Sequence, residues 1–289
     1  MRLTAALMVL ASLVVASCGG APASGGAPAV STSPPRAIAP TATASPTPAP
    51  IAFPADIAAT GRLRVALSSS DQAVISKDPV TGELKGAVVD VARELARRSN
   101  LSFVPVEYAT FTKMVELMKA GSWDVGIISI DPAREAEFDF APPFLDVDFG
   151  YLVRPGATIK NAADVDQPGV RVIVRRGTQP DATLSASLKR AQLVRFDGLQ
   201  DAAFDELRAG NGDVLALARP ALLVYAEKLP GSAVLADRFG LSQFALAVPK
   251  GKADRLRPVR QFSDELRTGD FVKQAIARSG PKGTQPTVP

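Results

Sequence analysis

The chain has 289 residues, a formal net charge of +4 and a hydrophobic content of 46%, enough for one large or two small domains with a full core. It has no histidine and a single cysteine, so zinc or copper sites, Ser–His triads and Cys–His dyads lack their residues. Basic residues are dispersed among acidic ones, so pairs such as Arg97-Arg98 and Arg175-Arg176 indicate solvated faces rather than a nucleic-acid track.

Residues 1–17 are predicted to form a secretory signal, with Arg2 as the charge and an apolar run before small residues. The end of this segment, Val15-Ala16-Ser17-Cys18, resembles the lipobox of bacterial lipoproteins, in which the cysteine becomes the first mature residue and carries the lipids, palmitate included. The alternative is an ordinary cleavage site beside a chance cysteine. Lipidation would tether the protein to a membrane, at the periplasmic face or the outer cell surface, without spanning it.

Residues 18–54 consist largely of Ala, Pro, Ser, Thr and Gly, with almost no charge. Such a segment cannot bury enough apolar surface to offset its ordering entropy. It is therefore predicted to be a disordered tether, and residues 281–289 are predicted to be a flexible tail.

From Gly61 onward the chain shows the periodicities of alternating strands and helices. Strands are predicted at residues 63–67, 102–107 and 124–130, and helices at residues 87–99 and from the cap Thr110 to Gly121. This β-α-β-α-β order predicts a parallel sheet covered by helices.

The same pattern follows a second time. Strands are predicted at residues 170–174, 192–196 and 213–217, and helices at residues 180–190, 199–209 and from Pro220. Two such units predict two lobes, with a ligand cleft beyond the carboxyl ends of the strands. A further strand is predicted at residues 244–248, and the last helices, from about Leu256 and Phe271, must pack on an existing lobe.

Several motifs in order resemble those of the family 3 extracellular solute-binding proteins, the amino-acid type of ABC-transporter receptor. The matching segments are Gly61-Arg62-Leu63-Arg64-Val65, residues 81–86 with Val89-Asp90-Val91 and Leu95-Ala96, Gly121-Ser122-Trp123-Asp124-Val125, Asp131-Pro132-Ala133-Arg134, residues 138–144, Gly212-Asp213 and Val248-Pro249-Lys250-Gly251. Each motif is weak alone, but their order and spacing over residues 57–280 indicate this family.

The resemblance implies an α/β fold of the periplasmic-binding-protein type II, with two lobes joined by two crossover strands. Each lobe would be a mostly parallel sheet flanked by helices. The first lobe would comprise residues 55–150 and 245–280, and the second residues 151–244. The crossovers would lie near residues 150–154 and 244–248, which explains why the last helices lack a sheet.

The resemblance also implies ligand-binding residues. Arg134 would clamp a ligand carboxylate, which a planar guanidinium can do through two parallel bonds. The alternative is a surface arginine paired with Glu137 or Asp139. Ser129 would bond the same ligand, or else fill a tight strand end. Asp131, where the family usually has threonine, is expected to cap the short helix that carries Arg134.

The turn Gly177-Thr178-Gln179-Pro180 opens a helix, so its free N–H groups and the helix dipole make it a natural anion site. The resemblance places the ligand carboxylate between this turn and Arg134, while Thr178 alone could be only a cap. Phe111 matches the aromatic residue that covers the ligand in the family, or is an ordinary core residue.

Two departures from the family affect the choice of ligand. The usual aromatic after the first strand is replaced by Ser69-Ser70-Asp71-Gln72-Ala73, and the usual ammonium-binding aspartate corresponds to Ala218, with Arg219 beside it. Asp71 and Arg219 are therefore added to the candidate ligand residues. These departures favour a carboxylate without an ammonium, or a compound with a second anionic group.

The expected function is binding: a monomeric receptor that delivers a small solute to an ABC permease, with no cofactor and no catalytic residue. Some relatives of this fold are dehydratases, and that alternative needs a cleft carboxylate such as Asp71, Asp131 or Glu107. A ligand sensor is a third hypothesis, and it would need a separate signalling partner.

Overall fold

A computed structural model of the chain describes residues 49–69, 74–198, 200–279 and 283–288, all within one unit, Thr47–Pro289. The predicted signal, Cys18, most of the predicted tether and Asp71 lie outside the described residues. The helices are α1 (Ala55–Ala58), α2 (Ala87–Arg98), α3 (Phe111–Lys119), α4 (Pro132–Glu135), α5 (Ala162–Val165), α6 (Gln179–Ser187), α7 (Gln200–Arg208), α8 (Arg219–Lys228), α9 (Ala253–Thr268) and α10 (Phe271–Ser279). The strands are β1 (Arg62–Ser68), β2 (Ser76–Lys77), β3 (Leu84–Lys85), β4 (Ser102–Tyr108), β5 (Val125–Ser129), β6 (Phe138–Phe140), β7 (Leu145–Val153), β8 (Arg171–Arg175), β9 (Gln192–Phe196), β10 (Val214–Ala218), β11 (Ala233–Val234), β12 (Gly240–Pro249) and β13 (Thr284–Pro286).

The first lobe is built on the parallel strands β4, β1 and β5, with β1 in the middle. Leu63, Val65 and Leu67 alternate along β1 and are fully buried in one core cluster with the apolar faces of α2, α9 and α10. Ala66, on the opposite face, belongs to a second cluster with Trp123. The alternation read from the sequence is therefore an alternation between two covered faces of the sheet.

The second lobe repeats this plan on the parallel strands β10, β8 and β9. Val172 and Val174 are buried in one cluster with Leu184 of α6. Ile173 is buried on the other face with residues of α7 and α8, including Leu207. Helices therefore cover both faces of this half of the sheet as well.

Each lobe has an aspartate–arginine contact of the same kind at the amino end of its central strand. In the first lobe, Asp124 accepts hydrogen bonds from the N–H and Nε of Arg64, both at 3.0 Å. In the second lobe, Asp213 accepts bonds from the N–H and Nε of Arg171 at 3.0 and 3.2 Å. Each aspartate closes a Gly-x-x-Asp segment, so the same short sequence ties the turn before β5 and before β10 to the central strand.

The long antiparallel strands β7 and β12 connect the two lobes. They pair with each other over residues 145–149 and 240–244. Beyond that stretch β7 pairs with β10 and β12 pairs with β5, so the two strands together join the halves of the sheet. This paired stretch is the junction of the lobes. It lies just before the crossover predicted near residues 150–154, and it ends where the crossover predicted near residues 244–248 begins.

Both ends of the folded part extend further than the sequence indicated. Ile51 and Phe53, placed in the predicted tether, are buried in the first-lobe core, because they are the first bulky apolar side chains after the low-complexity stretch. Residues 284–286, placed in the predicted flexible tail, form β13, which pairs with β7. The Thr287 hydroxyl donates to buried Asp146, which fixes this segment beside the junction.

Candidate functional site

A cleft of about 340 Å³ lies beyond the carboxyl ends of the parallel strands of both lobes. The first lobe lines it with residues 108–111 between β4 and α3 and with Ser129, Asp131 and Arg134. The second lobe contributes Arg175, residues 177–180, Leu217 and Ala218, and the strands β7 and β12 contribute Val147, Phe149, Ser242 and Phe244. This volume suits a small ligand.

Arg134 is fixed in the first turn of α4. Asp131 caps that helix by accepting a bond from the Arg134 N–H at 3.0 Å, and its Oδ2 lies 2.9 Å from Nε of the same arginine. Arg134 Nη1 donates to the carbonyl oxygen of Ser129 at 2.6 Å and also to its hydroxyl. Nη2 has no hydrogen-bond acceptor among the described residues. The guanidinium is therefore oriented by Asp131, not by Glu137 or Asp139, and one amino group remains for a ligand.

Phe111 and Ser129 support Arg134 from two sides. The Phe111 ring centre lies 5.8 Å from the guanidinium carbon, within cation–π distance. The same ring packs edge-to-face on Phe138 at 5.9 Å, so Phe111 both lines the cleft and joins the core. Ser129 is buried at the end of β5, and both of its oxygens accept bonds from Arg134.

The turn before α6 faces the cleft from the second lobe. Thr178 caps the helix, and its hydroxyl donates to the Arg175 carbonyl at 2.8 Å. The Gly177 N–H donates to Asp181 Oδ2 at 3.0 Å, so this group serves the turn itself. The N–H groups of Thr178 and Gln179 have no acceptor in the described part of the chain, as is usual for the first N–H groups of a helix.

The Asp181 carboxyl stabilises this turn as an anion. Its burial alone would raise its pKa, but bonds from the Gly177 N–H and from Arg195 outweigh that effect and lower the pKa below its ordinary value. Arg195 Nε lies 2.8 Å from Asp181 Oδ1. The turn that presents Thr178 is therefore held from behind by a charged pair.

One predicted ligand residue does not join this group, and another cannot be placed relative to it. Asp71 lies outside the described residues. Arg219 is not among the residues that line the cleft, because Nη1 and Nη2 donate to the Leu235 carbonyl at 2.9 and 2.8 Å. Its prediction as a ligand contact is thus corrected by the geometry: Ala218 ends β10 at the cleft, and Arg219 begins α8 on the side of Leu235.

The family model of the bacterial extracellular solute-binding proteins, family 3, matches residues 63–278, most of the chain. The chain belongs to this family. The type II fold with two lobes is likewise that of similar solved structures, as predicted.

The solute-binding protein is 23% identical over 181 residues to the ABC transporter glutamine-binding protein GlnH of Bacillus subtilis, a match that covers 61% of this chain and 66% of that relative. It is similar to a crystal structure of a mutant of ArgBP from T. maritima, with 26% identity, a TM-score of 0.60 and coverage of 78% of this chain and 97% of that one. An ancestral amino-acid-binding protein described as a precursor of cyclohexadienyl dehydratase shares the fold, with 23% identity, a TM-score of 0.62 and coverage of 78% and 97%.

Several cleft residues of the solute-binding protein were missed in the sequence. Arg175 was assigned to a solvated face, yet it lines the cleft, whereas its neighbour Arg176 is exposed and paired with Asp197 at 3.0 Å. The signal available was its place at the carboxyl end of β8.

Arg98, which does not line the cleft, was also wrongly assigned to a solvated face: its side chain is only 6% exposed and lies 2.6 Å from Glu265.

The charges that line the described cleft are two guanidinium groups and one carboxylate. The carboxylate, Asp131, is paired with Arg134. Arg175 adds a positive charge on the other side of the cleft.

Among residues 49–69, 74–198, 200–279 and 283–288, no helix is long and apolar enough to cross a membrane.

Proposed function

We propose that the protein is a lipid-anchored, extracytoplasmic receptor that binds a small carboxylate-bearing solute and delivers it to an ABC permease. The observation that carries this proposal is the pairing of Arg134, on the first lobe, with the Thr178 turn, on the second lobe, around one cleft. A carboxylate between them would accept bonds from Arg134 Nη2 and from the free N–H groups of the turn.

A ligand that is bound by both lobes would favour closure of the cleft between them. A solute that bonds Arg134 and the Thr178 turn together interacts best with the arrangement in which the lobes approach each other. In the described sheet β12 pairs with β5 of the first lobe, β7 pairs with β10 of the second lobe, and the two strands pair with each other, which suits a hinge. A permease would then distinguish the loaded receptor by its closed shape.

The relatives support the class of solute. One similar protein is named for glutamine and one similar structure is named ArgBP. Amino acids share an α-carboxylate, which is the group that Arg134 is placed to hold. The ABC permease follows from the type of these relatives, and the lipid anchor follows from Cys18 at the end of the predicted signal.

A dehydratase-like enzyme has less support from the described cleft. Asp131 is held by Arg134, and Glu107 is bonded to Lys77 at 2.9 Å and does not line the cleft. A general acid or base would have to be a carboxyl that is free to exchange a proton with the ligand; Asp131 lines the cleft but is paired with Arg134, and Glu107 does not line it.

A panel of amino acids and organic acids tests the proposal. We expect one or more carboxylates to raise the unfolding temperature, since ligand at about 100 times its Kd stabilises the folded state by ~2.7 kcal/mol. The bound compound should be recovered unchanged after long incubation, as followed by NMR. Conversion of the ligand, or stabilisation only by compounds without a carboxylate, would contradict the proposal.

A further inference from the structure

Arg175 is a half-buried arginine that the carboxylate clamp does not use. It is the last residue of β8 and lines the cleft from the second lobe. Its guanidinium has no ion pair and no hydrogen-bond acceptor within the described part of the chain. Nearby arginines are paired: Arg171 with Asp213 at 3.2 Å, and Arg176 with Asp197 at 3.0 Å. Arg175 therefore differs from the other arginines of this strand and turn.

The surroundings of Arg175 favour an anionic partner from outside the chain. β8 and β10 are parallel neighbours, with Val172 opposite Val214 and Ile173 opposite Leu215. In the same register Arg175 lies level with Leu217, and Ala218 follows at the cleft. These side chains offer no acceptor. Arg175 is half-buried and has no paired anion among the described residues, so it gains most from an anion that enters with the ligand.

Asp131 does not act as a partner of Arg175. It is the one carboxylate among the described residues that line the cleft, its Oδ2 lies 2.9 Å from Arg134 Nε, and it accepts a bond from the Arg134 N–H. A carboxylate at Arg134 would bring the summed charge of these cleft groups to zero, yet it would leave Arg175 without an anionic hydrogen-bond partner. A second anionic group on the same ligand would supply that partner.

We infer that Arg175 receives a second anionic group of the ligand, so that the cleft selects small dicarboxylates that carry no positive charge. The inference rests on the proposed function, because it assumes that the first carboxylate lies between Arg134 and the Thr178 turn. The Thr178 hydroxyl is bonded to the Arg175 carbonyl at 2.8 Å, so the two anion positions are adjacent parts of one rigid turn. Arg175 is thus a specificity residue beside the clamp.

Calorimetry with chain-matched acids tests this assignment. Succinate is compared with butyrate, and glutarate with valerate, on the wild-type protein and on Arg175→Gln. We expect the better dicarboxylate to bind at least about 10-fold tighter than its matched monocarboxylate, the advantage expected from one charge-assisted hydrogen bond. Arg175→Gln should lower dicarboxylate affinity more than monocarboxylate affinity and so remove this advantage.

Two further variants separate the cleft effect from general ones. Arg176→Gln removes the same charge one residue away, outside the cleft, and should keep the preference for dicarboxylates. Arg175→Lys retains the charge without the planar fork and should keep part of the preference. The unfolding temperature of each unliganded variant shows whether it folds.

The possible outcomes separate the role of Arg175 from the proposed function as a carboxylate receptor. Equal affinity for matched acids, or no dicarboxylate binding at millimolar concentration, overturns the role of Arg175. If monocarboxylates or amino acids still bind and Arg134→Ala abolishes that binding, the proposed function stands alone. If carboxylates bind equally well to Arg134→Ala, the clamp itself is refuted.

Discussion

Arg134 is held in place by contacts from within the chain. Asp131 fixes its backbone and Nε, Ser129 accepts from Nη1, and Phe111 lies beside its guanidinium plane. Such preorganisation reduces the side-chain entropy that is lost on binding. The same contacts explain how an aspartate can stand beside a carboxylate site: its charge is already matched by the arginine that it orients.

Ala218 predicts which compounds bind poorly. It lines the cleft, and the family resemblance predicts that it stands where other members have an ammonium-binding aspartate; no other carboxylate than Asp131 lines the described cleft. A buried ammonium would lack a counter-charge. We expect weak binding of neutral and cationic amino acids to the wild-type protein, and about 10-fold tighter binding, or ~1.4 kcal/mol, to Ala218→Asp in calorimetry.

The matched control for this change is Ala236→Asp, which places a carboxylate at an exposed position outside the cleft and should change no affinity. Micromolar binding of arginine, histidine or glutamine to the wild-type protein would show that another group reaches the ammonium.

The sequence allowed only part of the site to be predicted. Arg134, Phe111 and Thr178, which line the cleft, were predicted because they occupy motif positions and lie at helix starts, where local sequence sets their direction. Arg175 was missed because the pair Arg175-Arg176 looks like a solvated face. The carboxyl end of β8 was the available signal, but the final contact of Arg175 with the cleft also depends on the neighbouring strand β10, which lies far away in the sequence.

At the scale of secondary-structure elements, the clearest energetic role belongs to Asp124 and Asp213, the aspartates that tie a turn to the central strand of each lobe. Burial by itself raises the pKa of Asp213, but bonds from Arg171 and Arg154 outweigh it and hold the pKa below its ordinary value. The folded protein therefore binds this proton less readily than the unfolded chain. The stability due to Asp213 is present above the unfolded pKa of about 3.9 and is lost as the pH falls through the folded value.

Asp213→Asn tests this contribution. The variant should lose about 1–3 kcal/mol of unfolding free energy at neutral pH, because charge-assisted bonds from two arginines are weakened. The gap from wild type should narrow in acid below the unfolded pKa, as followed by urea unfolding. Asp197→Asn, at an exposed pair, should cost less than about 1 kcal/mol. A pH-independent gap would mean that Asp213 acts through packing alone.

Element order was predictable, but several ends were not. Helix α2 and strands β1, β5 and β8 begin and end within a residue or two of their predicted bounds, because the periodic spacing of apolar residues marks them clearly. α9 begins at Ala253, earlier than the predicted Leu256, and includes Pro258 within the helix. β13 carries no periodic signal in its three residues, and its order comes from pairing with β7.

The full chain combines a folded receptor with a predicted membrane anchor. Cys18 is the sole cysteine of the sequence and therefore its sole thiol for lipidation. Cys18→Ser should shift the protein from the membrane fraction to the soluble extracytoplasmic fraction or block its maturation, as measured by fractionation and metabolic lipid labelling. Ser17→Ala keeps the small residue before the cysteine and should remain membrane-bound. Lipid-labelled membrane association of Cys18→Ser would contradict the anchor.

Calorimetry of Arg134 variants tests the ligand clamp most directly, with the acid that gives the strongest thermal stabilisation as the probe. Arg134→Ala should weaken its binding by about 2–5 kcal/mol, because a desolvated ionic contact is lost. Arg134→Lys should also lose affinity, since a point charge lacks the planar fork, while Arg97→Ala, an exposed pair on α2, should bind as wild type does. Wild-type affinity in Arg134→Ala would contradict the account and make Arg134 a structural residue.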